Sequence, residues 1–275
     1  MKYKCLSIAG FDGSGGAGIQ ADLKTFSAFG CYGMTVLTAL PVQNTCGVRN
    51  CYEIPPKAIE EQLEAIFNDI VPDSVKIGML FSREIIEIVT NFLKQHAQHI
   101  PIVLDPVMFA KSGDRLLLPE AVEALKTLLI PLSTILTPNF PEACTLTGID
   151  ALPSQDIHKL GHKLLSLGTK AVLLKGGHLD GALSNDLYLD QNGREFYLES
   201  QRILSRNTHG TGCTLSAGIA SCLALGMDLA ESCKVAKKYL YEALKAAKDI
   251  SVGKGHGPVH HFYHLWPTIH QIKGE

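Results

Sequence analysis

The sequence predicts a doubly wound α/β fold, in which helices cover both faces of a mostly parallel β-sheet. Short runs of β-forming residues alternate with segments of helical periodicity along most of the 275 residues. Several of these runs carry apolar residues on both faces, as expected for strands that are covered by helices on both sides. An apolar content of 46% is enough for the core of a large domain of this class.

The predicted elements follow one another in regular order. Six short runs predict strands, at residues 4–9, 34–40, 74–77, 102–104, 134–136 and 171–174. Residues 184–189 and 195–199 flank Gly193 and predict an antiparallel hairpin at the sheet edge. Helices are expected at residues 56–69, where apolar side chains recur every three or four positions, and near residues 211–225 and 228–249. Since no linker or repeat interrupts this pattern, we expect one domain, residues 1–275.

The composition argues against several classes of protein. A net charge of −2 provides no basic excess for binding nucleic acid or an anionic membrane, so a small-molecule partner is expected. No apolar stretch is long enough to span a membrane, and residues 5–10 are too short for the core of a signal peptide. Eight scattered cysteines without a C-x-x-C pair are typical of reduced thiols in a cytoplasmic protein.

Polar side chains follow four of the predicted strands at the point where each strand ends. Asp12, Asp105 and Lys175 each follow a strand, and Asn139 with Glu142 follows another. Open α/β sheets bind their ligands at the carboxyl ends of the strands. These residues therefore predict a ligand site at one edge of the sheet.

The glycines after the first strand match the spacing of a dinucleotide-binding loop. Gly13, Gly15 and Gly18 fit G-x-G-x-x-G. That site also needs an acidic residue about 20 positions later, and the next acidic residue after the second strand is Glu53. A Rossmann nucleotide site is therefore not expected, and the chain also lacks the G-x-x-x-x-G-K-[ST] sequence of P-loop enzymes.

Residues 207–216, with the sequence NTHGTGCTLS, predict an anion-binding turn at the start of a helix. The first N–H groups of a helix lack partners within it, and the positive end of the helix dipole lies at the same place. Gly210, Thr211, Gly212 and Cys213 would direct such groups at a phosphate. The same field would favour the thiolate of Cys213, which makes it a candidate proton acceptor. A plain helix cap with a buried cysteine is the alternative.

Eight blocks of sequence resemble hydroxymethylpyrimidine/phosphomethylpyrimidine kinases, which belong to the ribokinase-like superfamily. These blocks are IAGFDGSGGAGIQADLKTFSA (8–28), QNT (43–45), KIGML (76–80), DPVMFAKSGD (105–114), TPNFPEA (137–143), KGGH (175–178), NTHGTGCTLSA (207–217) and GKGHGPVHH (253–261). The resemblance implies a ribokinase-like fold. It also implies ATP- and Mg²⁺-dependent phosphorylation of 4-amino-5-hydroxymethyl-2-methylpyrimidine, first to the monophosphate and then to the diphosphate used in thiamine biosynthesis.

The resemblance also assigns roles to the catalytic half of the site. Glu142 and Asp105 would hold Mg²⁺, and Lys175 would neutralise nucleotide phosphate. Asn139, Lys111 and Thr211 would contact ATP. Cys213 stands where most ribokinase-like sugar kinases have an aspartate base, and general-base help contributes little when the hydroxyl proton leaves late. A helix-start carboxylate and a solvated lysine are the structural alternatives for Glu142 and Lys175.

The amino-terminal half would hold the acceptor. Gln43 matches the family position that hydrogen-bonds the aminopyrimidine ring. The remaining contacts implied for the substrate come from small, apolar or acidic side chains: Gly10, Asp12, Ala17, Met79 and Val107. Plain core packing is the alternative for Met79 and Val107.

Three other interpretations of the chain compete with this one. Vitamin B6 kinases of the same superfamily are the runner-up, although one subgroup carries a second cysteine in the lid loop where this chain has Ala110. A pyrimidine sensor without catalysis would not need the phosphate-binding residues. A metal site formed by His256, His260, His261 and His264 matches no standard zinc spacing.

Relatives commonly form dimers, so we expect a homodimer.

Overall fold

An eight-stranded sheet forms the centre of the computed structural model, which describes residues 2–110, 113, 116–149, 157–178 and 181–266. The strands are β1 (Lys4–Ala9), β2 (Tyr32–Leu37), β3 (Ala39–Asn44), β4 (Gly47–Glu53), β5 (Ser74–Ile77), β6 (Ile102–Leu104), β7 (Ile135–Leu136), β8 (Ala171–Leu174), β9 (Asp186–Asp190) and β10 (Glu195–Leu198). The large sheet has the order β10-β9-β8-β7-β6-β5-β1-β2. Because β9 is antiparallel to both neighbours and the other pairs are parallel, the predicted class with its edge hairpin is confirmed.

Helices cover both faces of the sheet. They are α1 (Gly18–Ala28), α2 (Pro56–Phe67), α3 (Arg83–His96), α4 (Ala121–Ala124), α5 (Phe140–Thr147), α6 (Ile157–Leu165), α7 (Thr211–Ala224) and α8 (Leu229–Ala247). The three helices expected from the sequence are present as α2, α7 and α8. Along the parts of the chain that the structure describes, no helix combines the length and the apolarity needed to cross a membrane.

Successive residues of the central strands enter two different cores. Leu6 and Ile8 of β1 pack in the core formed with α2, α3, α5 and α6, whereas Cys5 packs in the core formed with α1, α7 and α8. In β6, Leu104 and Val103 are divided between the two cores in the same way. Burying one aliphatic side chain of this size stabilises the fold by about 1.5–3 kcal/mol. The two-sided burial explains why these strands carry apolar side chains on both faces.

The strand order reverses between β1 and β5, and this reversal positions the site. From β1 the chain first adds β2 on one side, and β5, β6, β7 and β8 then follow on the other side. The loops after β1 and β5 therefore diverge to opposite faces and open a crevice at the carboxyl edge of the sheet.

The predicted strand at residues 34–40 is wrong as a single element. β2 ends at Leu37, and the chain then leaves the large sheet to form the antiparallel hairpin β3–β4, which the sequence did not reveal. At this point the Thr38 hydroxyl donates to Met79 O (2.5 Å), and the Phe11 N–H donates to Ala39 O (3.0 Å). The second strand, β4, was missed because most of its side chains are exposed, so it carries no apolar run.

Candidate active site

A cavity of about 800 Å³ lies at the carboxyl ends of β1, β5, β6 and β8, a size suited to a small-molecule ligand. Most of the predicted site residues line it: Gly10, Ala17, Gln43, Met79, Asp105, Val107, Asn139, Glu142, Lys175, Gly210, Thr211, Gly212 and Cys213. Of the two remaining predicted residues, Lys111 falls outside the described residues, and Asp12 is fully buried beneath the cavity wall.

The structure corrects the prediction that Asp12 contacts the substrate. Its carboxylate accepts hydrogen bonds from the N–H groups of Ser14 (2.9 Å), Gly16 (3.0 Å) and Ala17 (2.7 Å), so it holds the loop that leads into α1. Asp12 Oδ2 also lies 2.7 Å from Nε2 of His209. His209 belongs to residues 207–216, here named the phosphate-binding motif after their predicted role. Both carboxylate oxygens of Asp12 are therefore occupied by hydrogen bonds within the protein. Asp12 thus connects the loop between β1 and α1 to the segment that precedes α7.

The pKa of Asp12 predicts a pH-dependent part of the protein's stability. Burial alone would raise this pKa, but the hydrogen bonds from His209 and Ser14 outweigh it and lower the pKa to about 2. Because the pKa of Asp12 is lower in the folded than in the unfolded protein, its ionised carboxylate stabilises the fold by about 2 kcal/mol at pH values above the unfolded pKa. This stabilisation is lost as the pH falls through the unfolded pKa and then the folded pKa. Between about pH 5 and pH 3, wild type should lose about 1 kcal/mol more than Asp12→Asn in urea unfolding. Parallel losses in the two proteins would contradict this prediction.

The phosphate-binding motif forms the amino terminus of α7. Gly210 precedes the helix with φ +76°, and an added Cβ would lie 1.8 Å from Gly16 O. The Thr214 N–H donates to Gly210 O (2.9 Å) as the first bond of the helix. The N–H groups of Thr211, Gly212 and Cys213 therefore come before the helical ladder, as in an anion-binding turn.

The expectation of a Cys213 thiolate is wrong for this environment. Burial raises the pKa of Cys213 to about 11, and the positive charge of Lys76 only partly opposes this effect. The carboxylates of Asp22 and Asp105 raise the pKa further. The helix dipole is worth about 1 kcal/mol or less in most settings, which is too little to offset the loss of water around the sulfur. These surroundings therefore favour the thiol of Cys213 over the thiolate at neutral pH.

The reactivity of Cys213 provides a direct check. With a pKa of about 11, the thiolate fraction is about one in a thousand at pH 8, so alkylation by iodoacetamide should be slow. The rate should increase about tenfold with each pH unit up to pH 10 without levelling. Mass spectrometry of the peptide that carries Cys213 measures this rate, with exposed Cys46 as an internal reference. A plateau below about pH 8 would show a depressed pKa instead.

Asp105 and Lys175 form an ion pair in the wall of the cavity. Lys175 Nζ lies 2.8 Å from Asp105 Oδ1, and Asp105 is 1% exposed. Burial would lower the pKa of Lys175, but Asp105 and Glu142 outweigh it and raise the pKa, so the ammonium stays charged. An added Cβ on Gly212 would lie 3.4 Å from Lys175 Nζ, which puts the ammonium beside the anion-binding turn.

Glu142 has a structural role at the start of α5. Its carboxylate accepts from the Asn139 N–H (2.8 Å), and the Asn139 side chain accepts from the Glu142 N–H (2.9 Å), a reciprocal capping box. Burial raises the pKa of Glu142 to about 7, with Lys175 opposing the shift and Asp105 adding to it. In the described ranges, no group of three or more His, Cys, Asp or Glu side chains is arranged around a point that could take a metal ion.

The other half of the cavity contains the residues predicted to hold the acceptor. Gln43 of β3 donates through Nε2 to Phe11 O (3.2 Å). Met79 is 6% exposed, and its sulfur would lie 2.9 Å from a Cβ added to Gly10. A side chain at position 10 would therefore require the Met79 sulfur to shift.

Sequence reasoning missed two polar residues of the site. His209 lines the cavity and bonds Asp12, although it lies inside the motif that the sequence singled out. Lys76 also borders the cavity and forms a fully buried ion pair with Asp22 (2.8 Å). Lys76 lies within the KIGML block, and a lysine between Val75 and Ile77 of a predicted buried strand was the signal that could have identified it.

The sequence profile of the phosphomethylpyrimidine kinase family matches residues 12–260. The chain belongs to the phosphomethylpyrimidine kinase family. Among curated members, the hydroxymethylpyrimidine/phosphomethylpyrimidine kinase of Salmonella typhimurium is 47% identical over 268 residues, which cover 97% of this chain and 100% of that protein. The resemblance drawn from the sequence blocks is thereby confirmed.

Solved structures of this family and of a related one share the fold. The crystal structure of phosphomethylpyrimidine kinase from Clostridium difficile has a TM-score of 0.77 at 47% identity and covers 88% of this chain and 100% of that chain. A pyridoxal kinase from Staphylococcus aureus, in complex with AMP-PCP and pyridoxal, has a TM-score of 0.87 at 34% identity. The match covers 96% of this chain and 95% of that chain. The predicted ribokinase-like fold is confirmed, and the higher identity favours the pyrimidine kinases over the vitamin B6 kinases.

Two of the histidines proposed for a metal site, His256 and His261, contact other parts of the fold. His261 is buried, and its Nε2 lies 3.1 Å from the Thr214 hydroxyl of α7. Burial lowers the pKa of His261 to about 3, so its ring is neutral. His256 Nδ1 lies 3.3 Å from Arg206 O. These two rings are used within the fold, and the hypothesis of a metal site in this tail receives no support.

Proposed function

We propose that this chain transfers the γ-phosphoryl group of ATP to the hydroxyl of 4-amino-5-hydroxymethyl-2-methylpyrimidine, and then a second phosphoryl group to the resulting monophosphate. Its membership in the phosphomethylpyrimidine kinase family supports this activity. The observation that carries it is one cavity containing Gln43, the free N–H groups at the start of α7 and the Asp105–Lys175 pair. That combination brings a ring-binding amide and a phosphate-binding turn into the same space.

In each transfer the acceptor oxygen forms a bond to the γ-phosphorus while the bond from that phosphorus to the ADP oxygen breaks. The N–H groups of Thr211, Gly212 and Cys213 would donate to the oxygens of the moving phosphoryl group. Lys175 would add a positive charge at the same place.

Cys213 serves in this scheme through its backbone N–H and not as a base. Its thiol is already protonated at neutral pH, and a nearby phosphate would raise its pKa further. In a loose transition state the hydroxyl proton leaves late, onto the oxygens of the new phosphate ester or onto water. The second transfer needs no base, because the acceptor is already an anion.

Asp105 and Glu142 would hold Mg²⁺. Three buried carboxylates, Asp22, Asp105 and Glu142, surround Lys76 and Lys175, which leaves one excess negative charge when all five are ionised. This balance fits a divalent cation that also takes ligands from water and nucleotide. Bound there, Mg²⁺ would neutralise negative charge on the nucleotide phosphates. Lys175 and Ser216 (3.4 Å) fix the orientation of the Asp105 carboxylate.

The remaining contacts to ATP would come from Asn139, Lys111 and Thr211. The solved pyridoxal kinase bound to AMP-PCP supports ATP as the donor. The cavity also has an apolar end, lined by Ile203, Leu240 and Leu244, which would suit the adenine ring.

Three wider properties are part of the proposal. Residues 1–275 act as one kinase domain, since a single large sheet connects the elements on both faces. The protein acts in the cytoplasm, in keeping with its eight free thiols. It forms a homodimer, in which the exposed apolar side chains of Leu40, Val42 and Tyr52 on the β3–β4 hairpin would be covered. Light scattering after size-exclusion chromatography measures the oligomeric state, and a monomer mass would overturn the dimer.

The test is to incubate the protein with Mg-ATP and hydroxymethylpyrimidine, with pyridoxal and pyridoxine in parallel, and to identify products by mass spectrometry. Mono- and diphosphorylated pyrimidine are expected. Phosphorylation of the pyridine compounds alone would make the protein a vitamin B6 kinase, the candidate favoured by the TM-score of 0.87. Binding of the pyrimidine without turnover of any of the three compounds would identify a sensor.

A further inference from the structure

Residues 253–258, here named the clasp segment, contact the tip of the β3–β4 hairpin. The Gly255 N–H donates to Thr45 Oγ1 (3.2 Å), and the His256 N–H donates to Thr45 O (2.8 Å). Thr45 lies in the turn of the hairpin, two residues after Gln43. The hydroxyl and the carbonyl oxygen of one turn residue therefore both accept hydrogen bonds from the clasp segment.

The other end of the clasp segment contacts the phosphate-binding motif. The His209 N–H donates to Gly257 O (3.0 Å), and His209 pairs with Pro258 in a parallel bridge. Asn207 is buried, and its side-chain amide donates to the carbonyl oxygens of Ala247 and Ile250 (2.6 Å to Ile250 O). The first residues of the motif and the clasp segment are thus packed as one unit.

The glycines of the clasp segment allow a backbone approach that no other residue permits. A Cβ on Gly255 would lie 1.9 Å from Thr45 O, and a Cβ on Gly257 would lie 2.0 Å from Asn207 Oδ1. Neither neighbour can move freely, since the first is backbone and the second belongs to an amide held by two hydrogen bonds. The spacing between hairpin and motif is set by these two contacts.

The hairpin depends on contacts with the rest of the protein to hold its tip in place. A two-stranded sheet is marginally stable by itself, and most side chains of β4 are exposed. The Gln43 amide is held by a long hydrogen bond, since its Nε2 donates to Phe11 O at 3.2 Å. A small displacement of the tip would therefore carry the Gln43 amide away from the acceptor ring.

We propose that the clasp segment positions Gln43 relative to the phosphate-binding motif, so that Thr45 and Gly255 are positioning residues for binding of the pyrimidine acceptor. This proposal rests on the proposed function for the identity of the acceptor. It assigns a role to the contact between hairpin and tail, which lies outside the cavity itself. The chemistry at the phosphoryl group is left to the residues already described.

Two variants and two matched controls test the proposal. Gly255→Ala forces the clasp segment away from the hairpin at Thr45. Thr45→Val removes the hydroxyl acceptor while keeping the side-chain shape. Each should raise the KM for the pyrimidine by about tenfold, the effect of losing one well-placed hydrogen bond, with kcat and the KM for ATP changed less than about twofold. Thr45→Ser should restore the wild-type KM, and Lys254→Ala, an exposed neighbour, should leave it unchanged.

Amide hydrogen exchange of the ligand-free proteins gives a readout that does not depend on the substrate. Exchange in residues 39–53 should be faster in Gly255→Ala and Thr45→Val than in wild type and Thr45→Ser, with residues of β5 unchanged. A fall in kcat at constant KM, or unchanged exchange in residues 39–53, would overturn the proposal. If wild type does not phosphorylate the pyrimidine, the proposed function fails, and the exchange rates still decide whether the clasp segment holds the hairpin.

Discussion

The Gly210→Ala variant is expected to lose about 100-fold or more in kcat/KM for the pyrimidine, because it damages the turn that receives the phosphoryl group. The new Cβ would lie 1.8 Å from Gly16 O, and that contact is backbone against backbone. Either the first loop or the start of α7 must move, and both line the cavity. Steady-state kinetics with ATP and the pyrimidine measures the effect.

Gly226→Ala is the matched control for this variant. Gly226 follows the other end of α7 with φ +83°, and an added Cβ would meet no atom within 4 Å. Both variants therefore carry the cost of a left-handed alanine, about 1 kcal/mol, but only Gly210→Ala adds a clash in the site. A large difference in kcat/KM between the two variants, with both shown by their melting curves to be folded at the assay temperature, supports the assignment. Equal activity in the two variants would show that the turn does not bind the phosphoryl group.

The Lys76→Met variant is expected to lower the free energy of unfolding by about 3–5 kcal/mol, because it breaks a buried ion pair. Lys76 and Asp22 are fully buried, and Asp22 Oδ2 accepts from Lys76 Nζ (2.8 Å) and from the Ser7 hydroxyl (2.5 Å). Burial would lower the pKa of Lys76, but the charge of Asp22 outweighs it and raises the pKa, so the lysine is charged. Removing that charge leaves a buried carboxylate without its partner.

A double-mutant cycle separates the pair from the loss of packing. Lys76→Met combined with Asp22→Asn removes both charges and should recover a large part of the stability lost in the single variant. Urea unfolding followed by circular dichroism gives the free energy of unfolding for each protein. A loss below about 1 kcal/mol in Lys76→Met, or additive losses in the double variant, would contradict the prediction.

The parts of the fold that were predicted well are those whose signal is local. The bounds of β1, β5, β6 and β8 match the prediction, because strands buried on both faces carry apolar residues on both sides of the chain. The hairpin β3–β4 was missed because its side chains are exposed and Pro41 interrupts β3. Its position depends on contacts with the clasp segment, about 200 residues further along the chain, which no window of sequence reveals.

The site residues divide in the same way, into those with a local signal in the sequence and those that depend on distant contacts. The anion-binding turn at Gly210 was identified from the sequence, because a helix start exposes its N–H groups wherever it occurs. The assignment of Asp12 to the substrate was wrong, since its partner His209 lies 197 residues away. The thiolate of Cys213 was wrong for a related reason. The helix dipole is visible in the sequence, whereas burial among Lys76, Asp22 and Asp105 is not.

The sequence by itself determined the class of fold, the alternation of most central strands with helices, the family and the position of the glycine-rich turn at the start of α7. Each of these depends on residues that are neighbours in the chain or on a periodicity within one element. The tertiary structure decided which polar groups face the cavity, which are used within the fold, and which protonation state Cys213 adopts. Those properties depend on burial and on partner distances, and both arise only when distant segments pack together.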